Sequence, residues 1–497
     1  MTMLVFWIDM TLFDLLLFLI FVLFSVLWLR SRRPPRYPPG PTPLPIIGNL
    51  HNVAKKDFMQ AIRDLREKYG DIISLSLGSY WVVFVNGSEN LRELFVKNAN
   101  ETSDRPPLFI FKLVKNKGVI ASSGPNWKHQ RTFALSKLRD FGFGKRSFES
   151  SILEEIENFL NLLESFKGKS FDLSGIIRTS LSNNVMSITV GRRFEYDDPK
   201  FRYFVNLLDE VNNTAALSGA LNFIPILEKL PGDPFGAKRI LEVANDFFDN
   251  FFGEELKEHR DTLDENNIRD FIDAYLVQMK TVETSNEYYT DEQLLSVIAD
   301  LFGAGTETSA TTIEWAFVYL MNDMDVQNKM RQEIDDIVGN GRLPIMSDKH
   351  NLPYCEAVVI ETFRLGNVVP FSLPHNVSED IYFKGYMIPK NAVIMPCLDS
   401  VAHDENLFPD SQSFKPDRFL DENGKICGQD KILSFSLGRR VCLGESLARM
   451  EVFLYLTALV QRFEILPPEG ESPPPVKGQL GVTYSPGSFK LRAISRT

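Results

Sequence analysis

The residues with the clearest potential for chemistry surround Cys442, which lies in the sequence FSLGRRVCLG, residues 435–444. A helix-forming run follows from residue 445 to residue 463, so the thiol lies near a helix N-terminus, where unpaired amides and the helix dipole favour a thiolate. The glycines of this sequence allow a tight turn and close approach to a flat cofactor, and Arg440 offers a fixed charge to a carboxylate. A lone cysteine is more often an inert buried thiol. The flanking residues favour a ligand instead.

A second set of polar residues lies within a long predicted helix. Thr290 and Gln293 form a capping box that predicts its start, and the helical periodicity continues to Met321. Glu307 and Thr308 stand side by side in it, and an acid next to an alcohol suits the delivery of protons to a reactive group. Two glycines just before them predict either a local widening beside a ligand or tight packing against another helix.

Two further pairs have spacings that place both side chains on one face of a helix. Glu361 and Arg364 are three residues apart, and Trp127 and Arg131 are four apart. Arg418 follows in the sequence PDRF. Taken alone, a Glu and Arg pair of this kind is usually a solvated surface ion pair.

Together these motifs resemble those of the cytochrome P-450 superfamily, and in particular the second family of animal microsomal cytochromes P-450. FSLGRRVCLG matches the haem-binding loop FxxGxRxCxG at every defined position, ETFR matches ExxR, and PDRF matches PxRF. WKHQR matches WxxxR, and AGTETS matches the pattern [AG]Gx[DE]T[ST]. The motifs follow the family's order and the likeness covers nearly the whole chain.

The resemblance implies haem b, iron protoporphyrin IX, as the cofactor, with the Cys442 thiolate as the axial ligand of its iron. An axial thiolate pushes electron density onto haem iron and favours cleavage of the O–O bond. The other haem-binding residues that it implies are Arg440, Phe435, Trp127, Arg131, Arg105 and His375. For Arg105 a solvated surface position is the alternative, and for His375 a hydrogen-bonded loop imidazole.

The same resemblance implies roles for the residues of the other motifs. Thr308 would hydrogen-bond the reacting oxygen and an ordered water, and Glu307 would relay protons from solvent. Glu361, Arg364 and Arg418 would stabilise the structure behind the haem rather than take part in the reaction.

Electrons are expected from another protein, because the Gly-x-Gly of the long helix lacks the third glycine of a dinucleotide site. The resemblance implies NADPH-cytochrome P-450 reductase, with cytochrome b5 as a further candidate donor. Four basic residues, Lys128, Arg139, Lys431 and Arg439, resemble the basic face that the family offers to its reductase. The alternative is that they are scattered solvated charges.

A pocket for a lipophilic substrate is also expected. By position in the family its candidate lining residues are Phe109, Phe111, Val114, Leu208, Leu301, Ala304, Phe371, Leu373 and Val482. Each of these could equally belong to the core. A loop at residues 221–236 resembles the segment between two roof helices, and its apolar residues either dip into the bilayer or pack in the core.

The elements that must hold this site begin with an apolar N-terminus. Residues 15–29 carry no charge, and extension back to Met10 gives the roughly 20 residues that a membrane helix needs. Arginines follow directly, so the positive-inside rule keeps the rest of the chain in the cytosol. We predict a transmembrane signal-anchor at residues 1–30 in the endoplasmic reticulum membrane and a proline-rich linker at residues 31–45. A catalytic domain at residues 46–497 would then lie on the cytoplasmic face.

Composition limits the remaining possibilities. The 497 residues include 65 acidic and 54 basic ones, a net charge of −11 that argues against a nucleic-acid partner. Four scattered cysteines fit neither a disulfide framework nor a zinc cluster. Helical periodicity dominates, with a helix at 58–69 and a strand pair, ISLSLG and YWVVFV, after it. The predicted class is mainly α with small β-sheets (α+β), in a cytochrome P-450 fold with an N-terminal anchor helix.

We predict a haem-thiolate monooxygenase that inserts one oxygen atom from O2 into a fatty acid, steroid or xenobiotic and reduces the other to water. A haem-thiolate isomerase or dehydratase needs no electrons, and the intact Glu307 and Thr308 pair argues against it. A non-catalytic haem or lipid-binding protein is the alternative from another class. Consumption of NADPH with purified reductase would separate these three.

Overall fold

α-Helices dominate the protein in a computed structural model that describes residues 12–53, 57–142, 146–281 and 287–496. The predicted class, mainly helical with small sheets, is confirmed. The α-helices of the described ranges are α1 Leu12–Ser31, α2 Leu50–Val53, α3 Phe58–Tyr69, α4 Ser88–Arg92, α5 Phe109–Lys112, α6 Gly124–Asp140, α7 Arg146–Ser165, α8 Ser174–Thr189, α9 Pro199–Phe223, α10 Ala237–Asp246, α11 Gly253–Thr262, α12 Phe271–Thr281, α13 Asp291–Asn322, α14 Met324–Ile337, α15 Pro353–Gly366, α16 Asp399–Ala402 and α17 Glu445–Arg462.

Short strands form small sheets beside the helices. They are β1 Ile72–Leu77, β2 Tyr80–Val85, β3 Phe171–Asp172, β4 His375–Asn376, β5 Ile381–Phe383, β6 Tyr386–Ile388, β7 Val393–Pro396, β8 Phe463–Leu466, β9 Gln479–Leu480, β10 Tyr484–Ser485 and β11 Lys490–Ser495. One sheet has the order β1-β2-β7-β4, with β2 and β7 parallel and the other neighbours antiparallel. Another has the order β3-β11-β8, and β5-β6 and β9-β10 are two-stranded. The predicted strand pair is the antiparallel pair β1 and β2.

Helix α13 runs through the largest hydrophobic core and packs against α8, α15 and α17. The hydroxyl of Thr290 accepts a hydrogen bond from the Gln293 N–H at 3.2 Å, which confirms the predicted N-cap. The helix ends at Asn322, one residue beyond the predicted end.

Of the two glycines of α13, Gly305 allows close helix packing and Gly303 does not. The helix is continuously α-helical, so the predicted local widening is wrong. A Cβ atom on Gly305 would lie 2.9 Å from Val185 Cγ2, so this glycine allows α8 to approach closely. A Cβ atom on Gly303 would meet no other atom within 4 Å.

The N-terminal helix α1 exposes its apolar side chains, among them Phe21, which is 68% exposed. Within the four described ranges, no helix is both long enough and apolar enough to cross a membrane. Residues 1–11 of the predicted anchor lie outside those ranges, as do the side chains of Asp14 and Arg30. A membrane-spanning anchor helix at residues 1–30 is therefore not shown.

The proline-rich segment at residues 32–45 contains no helix or strand but packs against the edge strand β1. Tyr37 is buried, and the carbonyl of Pro39 accepts from the Ser74 N–H at 2.7 Å. The Ser74 hydroxyl donates to the Pro38 carbonyl at 2.6 Å. Because an edge strand has unpaired backbone groups, these hydrogen bonds cover part of the free edge of β1.

The loop at residues 221–236 begins at the last turn of α9 and continues as a 3₁₀ turn, Pro225–Lys229. Leu221 is buried against Phe109 and Ile240, so membrane contact is wrong for this residue. Ile226 is 65% exposed and Leu230 is 38% exposed.

Candidate active site

A cavity of about 250 Å³ lies among α8, α13, α15 and the start of α17, and most of its lining side chains are apolar. It brings together residues from widely separated parts of the chain, between Arg105 and Glu451. The predicted cofactor and catalytic residues that line it are Arg105, Arg131, Thr308, Phe435, Arg440 and Cys442. Trp127, His375 and Glu307 lie outside its lining.

The Cys442 loop is fixed by its own backbone. The Cys442 N–H donates to the Phe435 carbonyl at 3.0 Å, which closes the loop. Gly438 has a φ of +74°, and a Cβ atom there would overlap the Phe95 carbonyl oxygen, so glycine is required. Helix α17 begins at Glu445, three residues beyond the thiol.

Cys442 lines the cavity and has exposed surface, although many protein atoms surround its thiol. Burial raises its pKa above the ordinary value, while the N–H groups of Gly444 and Glu445 and the Arg131 guanidinium lower it by less. The amides at the start of α17 thus act in the predicted direction, but burial has the larger effect on the pKa of the free thiol. A metal ion at the sulfur would displace the proton.

Arg440 is held in the core by neutral oxygens. Its guanidinium donates to the carbonyls of Ser103 at 2.7 Å, Ser122 at 2.6 Å and Val119 at 3.0 Å, and lies 4.1 Å from the Trp127 ring centroid. Burial and the two neighbouring arginines lower its pKa to about 8. Because these carbonyl oxygens are neutral and do not balance its charge, the Arg440 guanidinium is well placed to bind an anion.

Arg105 and Arg131 bring two more guanidinium groups to the same cavity. Arg105 donates to the carbonyls of Ile120 at 3.0 Å and Pro374 at 2.8 Å, so it is not the solvated surface residue of the alternative interpretation. Burial and the charge of Arg131 lower its pKa to about 9. Arg131 donates to the Val441 carbonyl at 2.6 Å, and burial lowers its pKa as well.

His375 lies outside the cavity lining but feels the charges of two of these arginines. It is buried, its Nδ1 lies 2.5 Å from the Thr102 carbonyl oxygen, and its ring packs 4.6 Å from that of Phe95. Burial and the charges of Arg105 and Arg440 hold its pKa well below the ordinary value. The ring is therefore neutral and donates from Nδ1, as the hydrogen-bonded loop alternative expected.

Glu361, Arg364 and Arg418 form one buried ion cluster. The Arg364 guanidinium donates to both Glu361 carboxylate oxygens, at 2.7 and 2.8 Å, and neither residue is exposed. Arg418 adds a contact of 3.1 Å to the same carboxylate. Arg364 also donates to the carbonyls of Ala402 at 2.6 Å and Ser411 at 2.8 Å, so the cluster joins α15 to α16 and to the segment before residue 418.

Thr308 and Glu307 face different surroundings. The Thr308 hydroxyl donates to the Ala304 carbonyl at 2.7 Å and lines the cavity. Glu307 is buried on the α8 side, where its carboxylate accepts from Arg178 at 2.8 Å and from Thr483 at 3.1 Å. The pair that is adjacent in sequence is therefore not paired in space, because consecutive helical residues point in different directions.

Residues 38–493 of the chain match the model of the Cytochrome P450 family. The chain belongs to the cytochrome P450 family. It is similar to cytochrome P450 2B4 of Oryctolagus cuniculus, 37% identical over 97% of this chain and 100% of that protein. It is also similar to cytochrome P450 2E1 of Rattus norvegicus, 38% identical over 93% of this chain and 94% of that protein.

A human relative extends this result. Cytochrome P450 2D6 of Homo sapiens is 38% identical over 94% of this chain and 95% of that protein. The names of these three relatives place them in the second family of cytochromes P450, so the resemblance drawn from the motifs is confirmed. The protein is a monooxygenase of a family that binds haem b through a cysteine thiolate.

The residues of this cytochrome P450 fit a haem. The thiol of Cys442 supplies the ligand, and the cavity beside it is lined by apolar side chains and by three guanidinium groups suited to carboxylates. The indole Nε1 of Trp127 is buried and has no hydrogen-bond partner among the described residues. A haem propionate near Arg440 and Trp127 would satisfy both groups.

The predicted substrate residues divide into two groups. Leu301, Ala304 and Leu373 line the cavity. The other described ones lie outside its lining. Phe109 packs with Leu221, and Phe111 packs with Val114. Phe371 packs on Phe58 and Phe84, so these residues belong to the core, whereas Val482 is 41% exposed. The side chain of Leu208 lies outside the part of α9 that the structure describes.

The four basic residues predicted to face the reductase are all exposed. Lys128 and Arg139 lie on α6 and are eleven residues apart, three helical turns, so they share one face. The Arg439 guanidinium lies 5.7 Å from the ring centroid of Trp127, the residue that precedes Lys128 in the chain. It donates a hydrogen bond to the Asn100 side-chain oxygen at 2.6 Å.

Sequence reasoning missed Asp300, which shapes the cavity. Its Oδ2 accepts from the N–H groups of Val119 at 2.6 Å and Ile120 at 2.9 Å, while Oδ1 is buried without a partner among the described residues. Burial raises its pKa to about 7. Its place seven residues before Glu307, within an apolar stretch of the same helix, was the available signal.

Proposed function

We propose that this cytochrome P450 oxidises a lipophilic substrate with electrons passed from NADPH by NADPH-cytochrome P-450 reductase, with cytochrome b5 as a further donor. The observation that carries the proposal is that the Cys442 thiol and the Thr308 hydroxyl line one largely apolar cavity. Apolar walls favour substrates that gain from leaving water. Fatty acids, steroids and xenobiotics share that property.

The haem-binding residues and the cavity hydroxyl have separate roles in this proposal. The bound haem would supply oxygen activation, which inserts one atom of O2 into the substrate and reduces the other to water. Cys442 would hold the iron, and Arg105, Arg131, Arg440 and Trp127 would bind the propionates. The Thr308 hydroxyl donates to the Ala304 carbonyl, so its oxygen lone pairs remain to accept a hydrogen bond from a water in the cavity.

The proposal includes attachment to the endoplasmic reticulum membrane, with the catalytic domain on the cytoplasmic side. Support comes from the exposed apolar side chains of α1 and from Ile226 and Leu230. Exposed apolar surface of this extent favours contact with lipid. The full chain should float with lipid vesicles, and a chain that lacks residues 1–31 should float less; equal flotation would exclude α1 as the attachment.

The decisive experiment measures substrate turnover by the full haem-loaded chain with reductase, NADPH and a panel of lipophilic compounds. Product that carries one ¹⁸O atom from ¹⁸O2 is the expected result. Product without NADPH consumption would indicate an isomerase, and tight haem without any product across the panel would indicate a binding protein.

A variant tests the ligand directly. Cys442→His should retain some haem but lose the strongly red-shifted Soret band of the reduced carbon monoxide complex, because an imidazole does not donate electrons as a thiolate does. Cys427→Ser, at a half-buried cysteine outside the cavity lining, is the matched control and should keep the band. Survival of the band in Cys442→His would mean that the ligand is another residue.

A further inference from the structure

One wall of the cavity is formed by residues 367–373, a stretch without helix or strand that lies between α15 and β4 and that we call the wall segment. The residues of this segment that line the cavity are Asn367, Val368, Val369, Ser372 and Leu373. Because the segment has no regular hydrogen-bond ladder of its own, its shape depends on contacts with neighbouring elements.

Asp399, the first residue of α16, holds the wall segment at two points. Its backbone N–H donates to the Pro370 carbonyl at 2.9 Å. Its carboxylate Oδ1 accepts from the Asn367 side-chain amide at 3.4 Å. Asp399 is buried but does not line the cavity itself. It therefore affects the cavity through the first half of the wall segment.

Asp399 is held in turn by a cation from a distant part of the chain. The Arg63 guanidinium of α3 donates from Nε to Oδ2 and from Nη2 to Oδ1, both at 2.7 Å. The Nδ1 atom of His403 lies 3.0 Å from Oδ1. A bidentate pair fixes the orientation of a carboxylate as well as its distance. Arg63 thus fixes the side chain that Asn367 contacts.

The carboxylate of Asp399 is ionised despite its burial. Burial raises its pKa, but the hydrogen bonds and charges of His403 and Arg63 lower it by more, and it lies well below the ordinary value. The Arg63 side chain is 35% exposed, whereas that of Asp399 is 6% exposed. The ion pair therefore reaches from the surface of α3 to the back of the wall segment.

Asn367 sets the direction in which the chain leaves α15. It caps the helix with a φ of +38° and a ψ of 53°, in the left-handed region that asparagine adopts more readily than most residues. The next carbonyl, that of Val368, accepts from the Tyr484 N–H at 2.8 Å. These contacts present Val368 and Val369 to the cavity.

The other end of the wall segment is held by the haem-binding residues. The Ser372 hydroxyl donates to the Ser436 hydroxyl of the Cys442 loop at 3.2 Å. The Leu373 carbonyl accepts from Arg105 at 3.4 Å. The end at Asn367 is therefore the one whose position can change while the haem-binding contacts stay in place.

We propose that Arg63 and Asp399 are positioning residues for the substrate, because they hold the wall segment in the shape that a substrate meets. The inference rests on the function proposed above. A wall that is already ordered spares a ligand the entropic cost of ordering it. Compounds that extend from the haem to Val368 and Val369 should depend on this order, whereas a small ligand that contacts only the haem iron should not.

Three variants separate this role from a merely structural one. Asn367→Gly keeps the left-handed turn and removes the amide that contacts Asp399. Arg63→Leu removes the guanidinium that fixes Asp399.

Arg269→Leu is the matched control, because Arg269 pairs with Asp273 in the same bidentate way, at 2.7 and 2.8 Å. The exposures are also similar, 38% for the Arg269 side chain and 0% for that of Asp273, and neither residue lines the cavity. Loss of stability alone should therefore affect Arg269→Leu as much as Arg63→Leu.

The measurement uses imidazole and 4-phenylimidazole as probes of the full haem-loaded chain, with binding followed by the shift of the Soret band. In Asn367→Gly and Arg63→Leu the Kd of 4-phenylimidazole should rise by about fivefold, as expected for the loss of one hydrogen bond, and that of imidazole by less than about twofold. Arg63→Lys keeps the charge but not the bidentate geometry, so it should fall between Arg63→Leu and the wild type. Arg269→Leu should bind both probes as the wild type does.

The ratio of the two Kd values decides the proposal. A ratio in Asn367→Gly or Arg63→Leu equal to that in Arg269→Leu overturns it. Should Arg63→Leu fail to fold, Asn367→Gly decides by the same criterion.

Turnover gives an independent result. For the compound of the panel that the wild type oxidises, Asn367→Gly should raise KM by about fivefold and leave kcat nearly unchanged, because the haem-binding contacts are intact. A lower kcat with an unchanged KM would overturn the proposal. A wild type that oxidises nothing refutes the proposed function, while the two imidazole probes, which need neither reductase nor substrate, still test the role of Arg63 and Asp399.

Discussion

Loss of the Arg364 guanidinium should destabilise the protein more than loss of any exposed charge. In Arg364→Leu, the buried Glu361 carboxylate loses a bidentate partner at 2.7 and 2.8 Å and keeps only Arg418 at 3.1 Å and the Lys415 N–H at 2.9 Å. Removal of one partner of a buried ion pair costs about 3–5 kcal/mol.

The lost backbone contacts add to this cost. The carbonyls of Ala402 and Ser411 lose their Arg364 donor, and each buried acceptor left without a partner costs about 1–3 kcal/mol. The expected total is at least about 5 kcal/mol, which is comparable with the whole stability of many domains. The yield of soluble, haem-loaded Arg364→Leu should therefore be far lower than that of the wild type, or the variant should unfold at a much lower guanidinium concentration.

Guanidinium unfolding of the full chain, followed by tryptophan fluorescence and by far-ultraviolet circular dichroism, measures the effect. Lys280→Leu is the control, because its ion pair with Glu265 is more than half exposed on both sides and should contribute at most about 1 kcal/mol. The double variant Arg364→Leu with Glu361→Leu should recover part of the loss, since it removes the unpaired charge. A single variant as stable as the control, or a double variant that is worse than the single one, would refute the reasoning.

Two further predictions follow from packing and from surface charge. Gly305→Ala should destabilise the protein by about 1–3 kcal/mol, because the new Cβ atom would lie 2.9 Å from Val185 Cγ2. Gly303→Ala is the control and should be neutral or slightly stabilising. Equal melting temperatures of the two variants would contradict this prediction. Lys128→Glu with Arg139→Glu should slow reductase-driven turnover and flatten its salt dependence, because steering is screened within about 8 Å at physiological salt, while peroxide-driven turnover should be unchanged. Equal losses by both routes would mean that the haem site was damaged.

Local patterns predicted local structure well. The N-cap at Thr290, the helix Phe58–Tyr69 and the strand pair that contains Leu75 all depend on neighbours a few residues away, and the structure confirms each. The Cys442 loop likewise carries its own turn residue, since Gly438 has a φ of +74°. The Phe95 carbonyl, which also requires glycine there, lies far away in the sequence.

Pairings across the chain could not be predicted in this way. Arg178 lies 129 residues before Glu307, and nothing in the sequence around the acid indicates that a guanidinium approaches from α8. Phe109 is an apolar aromatic residue that could line a pocket, yet it packs with Leu221 in the last turn of α9. Apolar residues satisfy a core and a substrate pocket equally, so only the three-dimensional arrangement distinguishes them.

The parallel pairing of β2 with β7 has a consequence for how the protein is made. Val82 lies opposite Val393, so the two strands are separated by more than three hundred residues of chain. Such a closure carries a large entropic cost and makes folding slow. During synthesis β1 and β2 can pair with each other early. The other edge of β2, which pairs with β7 in the folded protein, stays unpaired until most of the chain has left the ribosome. For that interval the nascent chain carries an open, apolar strand edge, which favours pairing with other chains unless it is covered.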